Sequence, residues 1–77
     1  MQKVIIYSTP TCGYCHVAKD WFKENNIEYE DFDVSQDEKK RNELVEKTGQ
    51  MAVPVIVIGD ETIIGFDKAK LSELLGI

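Results

Sequence analysis

The 77-residue chain has little of what would mark a secreted, membrane-embedded or nucleic-acid-binding protein. No apolar stretch approaches the ~20 residues needed to span a bilayer, so no membrane role is expected. Nine Lys and Arg stand against fourteen Asp and Glu, a net charge of −5. A phosphate backbone would repel such a surface, which argues against general nucleic-acid binding. Cysteine is scarce: Cys12 and Cys15 are too few for the disulfide framework of a small secreted domain. Met1 to Tyr7 is too short for a signal-peptide core, and no small-residue cleavage site follows it, so the expected location is the cytoplasm. Repeats, low-complexity segments and linkers are also lacking.

What is present reads as one folded domain over residues 1–77. Hydrophobic residues make up 43% and charged residues 30%, ordinary for a globular protein and unlike a disordered one. A chain this short buries only about 60% of the surface its unfolded form exposes. Its core is worth roughly 3–5 kcal/mol, so packing must be well fitted.

Val4-Ile5-Ile6-Tyr7 is a continuous β-branched and aromatic run suited to a buried strand. Ser8-Thr9-Pro10-Thr11 interrupts it with turn residues and helix-capping candidates. Tyr14, Val17, Ala18, Trp21 and Phe22 then recur at steps of three and four, predicting an amphipathic helix closed by Asn25-Asn26. A second strand is expected over 27–34, although its alternation slips at Asp31-Phe32. Ser35 and Glu38 form a capping box for a second helix, ended by Gly49, whose thin apolar face (Leu44, Val45) puts it on the outside. Val55-Ile56-Val57-Ile58 and Thr62-Ile63-Ile64, joined by Gly59-Asp60-Glu61, read as a hairpin. Asp67 caps a last helix that Gly76 ends. The order β-α-β-α-β-β-α predicts an α/β fold: two parallel strands joined by a right-handed crossover, extended by a hairpin into a mixed four-stranded sheet with helices on its faces.

Cys12-Gly13-Tyr14-Cys15 falls between the first strand and first helix. Three residues is nearly one helical turn, so both sulfurs can face the same side and meet. At the helix start, unpaired amides and the dipole stabilise an anion, which should lower the Cys12 pKa. Cys15, inside the first turn, should be buried and stay a thiol. Cys12 is then the attacking sulfur and Cys15 the resolving one. Three rival readings exist. A structural disulfide closing so small a loop yields only about 2 kcal/mol. Cys12 to His16 also fits the C-x-x-C-H haem attachment pattern, but that site needs an axial partner opposite His16 and usually an export signal, and the second is absent. Zinc wants four ligands, and Cys12, Cys15 and His16 offer at most three.

At this motif, and across essentially all 77 residues, the chain resembles the glutaredoxins of the thioredoxin superfamily. Tyr7-Ser8-Thr9-Pro10-Thr11-Cys12 is similar to the family's strand-to-active-site junction, Val53-Pro54 to its "V-P" element, and Gly65-Phe66-Asp67 to its glycine-aspartate motif. The resemblance implies a thioredoxin fold and a small dithiol–disulfide oxidoreductase, an electron carrier in redox homeostasis that reduces protein or glutathione mixed disulfides. It further implies that Pro54 is a cis-proline facing the cysteines, and that Val53 offers its backbone to an incoming disulfide peptide. Tyr14 would line the substrate groove, with Gly65 and Asp67 beside it, and Asp67 could meet the amino group of glutathione. The chain departs from the family at Gly13, where proline is common, and at Thr9, where a lysine is. Ala52 replaces a usual threonine, and Ile64-Gly65 the usual double glycine.

Gly65-Phe66 is instead similar to redoxins that serve ribonucleotide reductase and are recharged by thioredoxin reductase. The implied electron donor is therefore thioredoxin reductase or glutathione, and the implied partner a disulfide-bearing protein such as ribonucleotide reductase. No metal and no tightly bound cofactor are expected, and the chain should be a monomer. The alternative is an iron–sulfur carrier, a dimer holding a [2Fe–2S] cluster between two chains, which the small residue Gly13 would permit.

Overall fold

Val4-Ile5-Ile6-Tyr7, with Ser8, forms strand β1 (Val4–Ser8) in a computed structural model that describes residues 3–77. Met1 and Gln2, the start of the segment read above as too short for a signal core, lie outside the described residues. After β1 come α1 (Gly13–Glu24), β2 (Glu30–Asp33), α2 (Glu38–Thr48), β3 (Val55–Ile58), β4 (Glu61–Ile64) and α3 (Lys68–Leu75). Strands are ordered β2-β1-β3-β4, with β1 parallel to β2 and antiparallel to β3, and β3 antiparallel to β4. Element order and mixed sheet are those of the thioredoxin fold, as expected.

Alternation along the strands sends neighbouring side chains to opposite faces and creates two cores. On one face Val4, Ile6, Ile56, Ile58 and Ile63 pack with Ala18 and Phe22 of α1 and Leu71 of α3. On the other, Tyr7, Val55 and Val57 pack with Val34 and with Leu44 of α2. Every residue of β3 is buried because both faces of this central strand are covered. Leu44 is the only fully buried side chain of α2. Its burial contributes about 1.5–3 kcal/mol to holding that helix on the sheet, and Lys40 adds a contact with its ammonium 4.2 Å over the Phe32 ring of β2.

Away from the loop that carries the cysteines, the structure differs from the sequence reading at four places. The second strand is only Glu30–Asp33, because Ile27 is drawn into the end of α1, its amide donating to the Phe22 carbonyl at 2.9 Å. The cap of α2 is Asp37, whose Oδ1 accepts from the Lys40 amide at 3.1 Å. Ser35 is unavailable as a cap, since its amide and hydroxyl both donate to Asp33 Oδ1, at 2.9 and 2.5 Å; a local aspartate turn outcompetes the capping box. The buried stripe of α1 is Cys15, Ala18 and Phe22. Tyr14 and Val17, read as part of the apolar face, are 70% and 49% exposed. Lastly, Glu61 belongs to β4, paired with Ile58, so the hairpin turn is only Gly59-Asp60.

Candidate functional site

β1 ends at the buried Ser8, and the chain then turns sharply, the Cys12 amide donating to the Thr9 carbonyl at 3.2 Å. This brings Cys12 to the start of α1 in an extended conformation (φ −86°, ψ 111°) as the residue that caps the helix. Thr9 and Thr11, the candidates from the sequence, do not cap it. The Cys12 sulfur does so itself, accepting the Cys15 amide at 3.2 Å. An unpaired amide of the first turn is thereby satisfied by sulfur, at the end of the helix where the dipole favours negative charge.

Cys12 is half-buried, whereas Cys15 is wholly buried beneath it; both are free. Burial pushes the Cys15 thiol up to about 12, and its hydrogen bond to the Cys12 sulfur acts the same way. A backbone hydrogen bond from Thr9 and the positive charge of Lys19 oppose that rise. One sulfur thus meets solvent at a helix terminus, while the other is held protonated in the core.

Register brings the other candidate residues to the same end of the sheet. Because Tyr7 pairs with Val55, the chain entering β3 lies beside the end of β1 that leads to Cys12. Val53 and Pro54 occupy this position, joined by a cis peptide bond. The Pro54 carbonyl accepts the Gly65 amide at 2.7 Å, which fixes the end of β4 against them. Gly65 adopts φ +88°, a left-handed conformation that a side chain rarely tolerates, although a Cβ there would meet nothing within 4 Å. Its backbone angle, not space, demands glycine. Asp67 follows, exposed, its Oδ1 accepting from the Lys70 amide at 3.1 Å as the cap of α3. Tyr14 projects from the first turn of α1 beside the cysteines.

Two features of this end escaped the sequence reading. The His16 ring Nε2–H donates to the Pro10 carbonyl at 2.8 Å, tying the helix to the loop before Cys12. The ring is exposed and engaged locally, so Cys12, Cys15 and His16 do not converge on a haem or zinc site. Among the described residues no group of three or more His, Cys, Asp or Glu is placed to hold a metal. The [2Fe–2S] alternative is a different arrangement, held between two chains by one Cys12-type thiolate from each together with glutathione, and the half-buried Cys12 keeps the solvent access that arrangement would need. The second feature is a polar chain. Ser8 Oγ donates to Asp31 Oδ1 at 2.5 Å, and Lys19 Nζ donates to Asp31 Oδ2 at 2.8 Å. The slip in alternation at Asp31 was its one visible sign.

The family model described as Glutaredoxin matches residues 4–63, most of the chain. The chain belongs to the glutaredoxin family. It is 43% identical over 70 residues to an uncharacterized glutaredoxin-like 8.6 kDa protein in the rubredoxin operon of Clostridium pasteurianum, covering 91% of this chain and 93% of that one. To glutaredoxin 3 of Escherichia coli K12 it is 33% identical over 67 residues, or 87% and 81% of the two chains. Among solved structures, a mutant of the thioredoxin-like protein BC3987 superimposes with a TM-score of 0.92 at 39% identity, covering 100% of this chain and 99% of that one. Family and fold together support thiol–disulfide oxidoreductase chemistry, and Cys12 and Cys15 lie close together, the Cys15 amide 3.2 Å from the Cys12 sulfur. No helix among the described residues is long and apolar enough to cross a membrane.

Proposed function

We propose that this glutaredoxin-family protein is a dithiol–disulfide oxidoreductase that reduces disulfides of protein substrates, or mixed disulfides with glutathione, using Cys12 to attack and Cys15 to resolve. The observation that carries this reading is the asymmetry of the pair: a half-buried sulfur capping α1 and a fully buried thiol one turn on. A thiolate is the nucleophile in disulfide exchange, so the sulfur at the helix terminus is the one suited to begin.

Cys12 attacks one sulfur of the substrate disulfide. The other leaves with the bond's electron pair and takes a proton from water. Cys15 then loses its proton and attacks Cys12, expelling the remaining substrate sulfur and forming the Cys12–Cys15 disulfide. Two electrons have passed to the substrate. Val53, just ahead of β3, offers backbone to an extended peptide alongside the cysteines. In this reading Tyr14 and Gly65 border the groove for that peptide, and Asp67 receives the amino group of glutathione. Thioredoxin reductase or glutathione then restores the dithiol. Under this reading the chain is a cytoplasmic monomer with a disulfide-bearing protein partner, ribonucleotide reductase being one candidate.

Turnover of insulin disulfides and of a glutathionylated peptide tests the proposal. Cys12→Ser should abolish both, and Cys15→Ser should accumulate a mixed disulfide visible by mass spectrometry; full activity in Cys12→Ser would sink the mechanism. The reduction potential of the pair separates the donors. A value of about −270 mV favours thioredoxin reductase, and ~−200 to −230 mV favours glutathione.

A further inference from the structure

Cys15 poses a problem for the reaction. It is the most deeply buried member of the site, and it must become an anion for the second step. Burial opposes that anion, because a charge taken from water into the interior costs free energy unless another charge answers it. The Ser8–Asp31–Lys19 chain lies where such an answer could come from.

Lys19 follows Cys15 by four residues on α1, which places the two side chains on one face, a turn apart. Its side chain is only 18% exposed. The ammonium is fixed by the Asp31 carboxylate at 2.8 Å, and Asp31 is itself fixed by Ser8, a buried residue of β1. The ammonium is bonded to the Asp31 carboxylate, and the Tyr29 phenol and the Cys15 thiol are near enough to feel its charge. A lysine on an open helix face would spread its charge into solvent. Here both oxygens of the carboxylate are occupied and the amine is held in a partly buried position, where a charge is less screened.

We infer that Lys19, held by Asp31 and Ser8, is a positioning residue for the resolving step, its ammonium supporting the thiolate that Cys15 becomes when it attacks the mixed disulfide. The inference rests on the proposed roles of the two cysteines. In that step the Cys15 S–H bond breaks and its proton goes to water. A Cys15–Cys12 bond forms, and the bond from Cys12 to substrate breaks. The substrate sulfur leaves with the electron pair and is protonated by solvent. Lys19 exchanges no proton; its charge favours the anionic form of Cys15.

Stopped-flow reaction of the reduced protein with dithiobis(nitrobenzoate) reads both steps in one trace. Attack by Cys12 releases the first coloured thiolate, and attack by Cys15 releases the second. Lys19→Met should slow the second release roughly tenfold, the effect of one pH unit in thiol acidity on thiolate population, while changing the first by less than about twofold. Lys19→Arg, which keeps the charge, should restore the second phase. Lys19→Gln repeats the uncharged case should methionine disturb packing. A merely structural tie between α1 and β2 would alter both phases or neither. An unchanged second phase in both uncharged variants, or an arginine variant as slow as methionine, overturns the inference. If Cys12→Ser keeps the first release, it is the parent reading that fails.

Discussion

The Cys15 amide donates to the Cys12 sulfur across 3.2 Å, so the first turn of α1 supports the very atom assigned the attack. The same turn draws the Cys15 side chain into the core, where burial pushes its thiol up to about 12. At pH 7.5 the thiolate fraction of such a group is on the order of 0.00003. Iodoacetamide at that pH should therefore label Cys12 and leave Cys15 unmodified until the protein is unfolded. Peptide mapping by mass spectrometry checks this, and early label on Cys15 would contradict the assigned asymmetry.

Gly13 opens the helix at its first position, directly after the extended Cys12. A Cβ at this position would meet nothing within 4 Å. Proline suits a first helical position, where its missing N–H and fixed φ cost nothing, and the extended residue before it is already compatible. Gly13→Pro should raise stability by about 0.4–1 kcal/mol through a less flexible unfolded chain. Urea denaturation of the reduced protein measures it; a loss of stability would show that the turn needs glycine for another reason.

Capping of α2 gives a contrast between neighbours. Asp37 accepts the Lys40 amide, while Ser35 is committed to Asp33. Asp37→Ala should cost about 1 kcal/mol, as loss of a helix cap does. Ser35→Ala should cost less, since it removes an exposed hydroxyl bond within a turn that keeps its amide contact. Equal losses in chemical denaturation would mean that the aspartate turn, not the cap, governs the start of the helix.

The architecture was legible because its signals are local and agree with one another. Continuous β-branched runs at Val4–Tyr7 and Val55–Ile58 fit strands covered on both faces and form them, and Asp67 with Gly76 bracketed α3 correctly. The C-x-x-C spacing likewise placed both sulfurs at the right helix end. Readings failed where a residue had two eligible partners. Ser35 could cap α2 or close a turn with Asp33, and sequence cannot weigh one hydrogen bond against the other. Tyr14 and Val17 fit an amphipathic period, yet the buried stripe of α1 runs through Cys15, Ala18 and Phe22, which leaves them in solvent while Cys15 is buried as expected. The Ser8–Asp31–Lys19 chain joins three elements far apart in sequence. Only the parallel pairing of β1 with β2 brings Ser8 near Asp31, and no local pattern encodes that contact.

Alkaline pH should weaken the reduced fold with a slope traceable to Cys15. The folded protein keeps this proton up to about pH 12, whereas the unfolded chain releases it near the ordinary value of about 8.5. Between those values the unfolded state binds fewer protons, so unfolding becomes easier as pH rises, by up to about 1.4 kcal/mol per pH unit. Below ~8.5 both states hold the proton and the stabilisation is fully present. Tyr7, raised chiefly by burial, and Lys19, raised chiefly by its hydrogen bond to Asp31, add slopes of the same sign, but above roughly pH 10. The interval from pH 8.5 to 10 therefore isolates the cysteine. Urea unfolding across that interval, with reductant present, should show a falling midpoint in the wild type and a flatter one in Cys15→Ala. The comparison uses slopes, because the alanine also leaves a small void that lowers stability at every pH. Parallel slopes in the two proteins would mean that Cys15 ionises as readily folded as unfolded, and the division of labour between the two sulfurs would lose its physical basis.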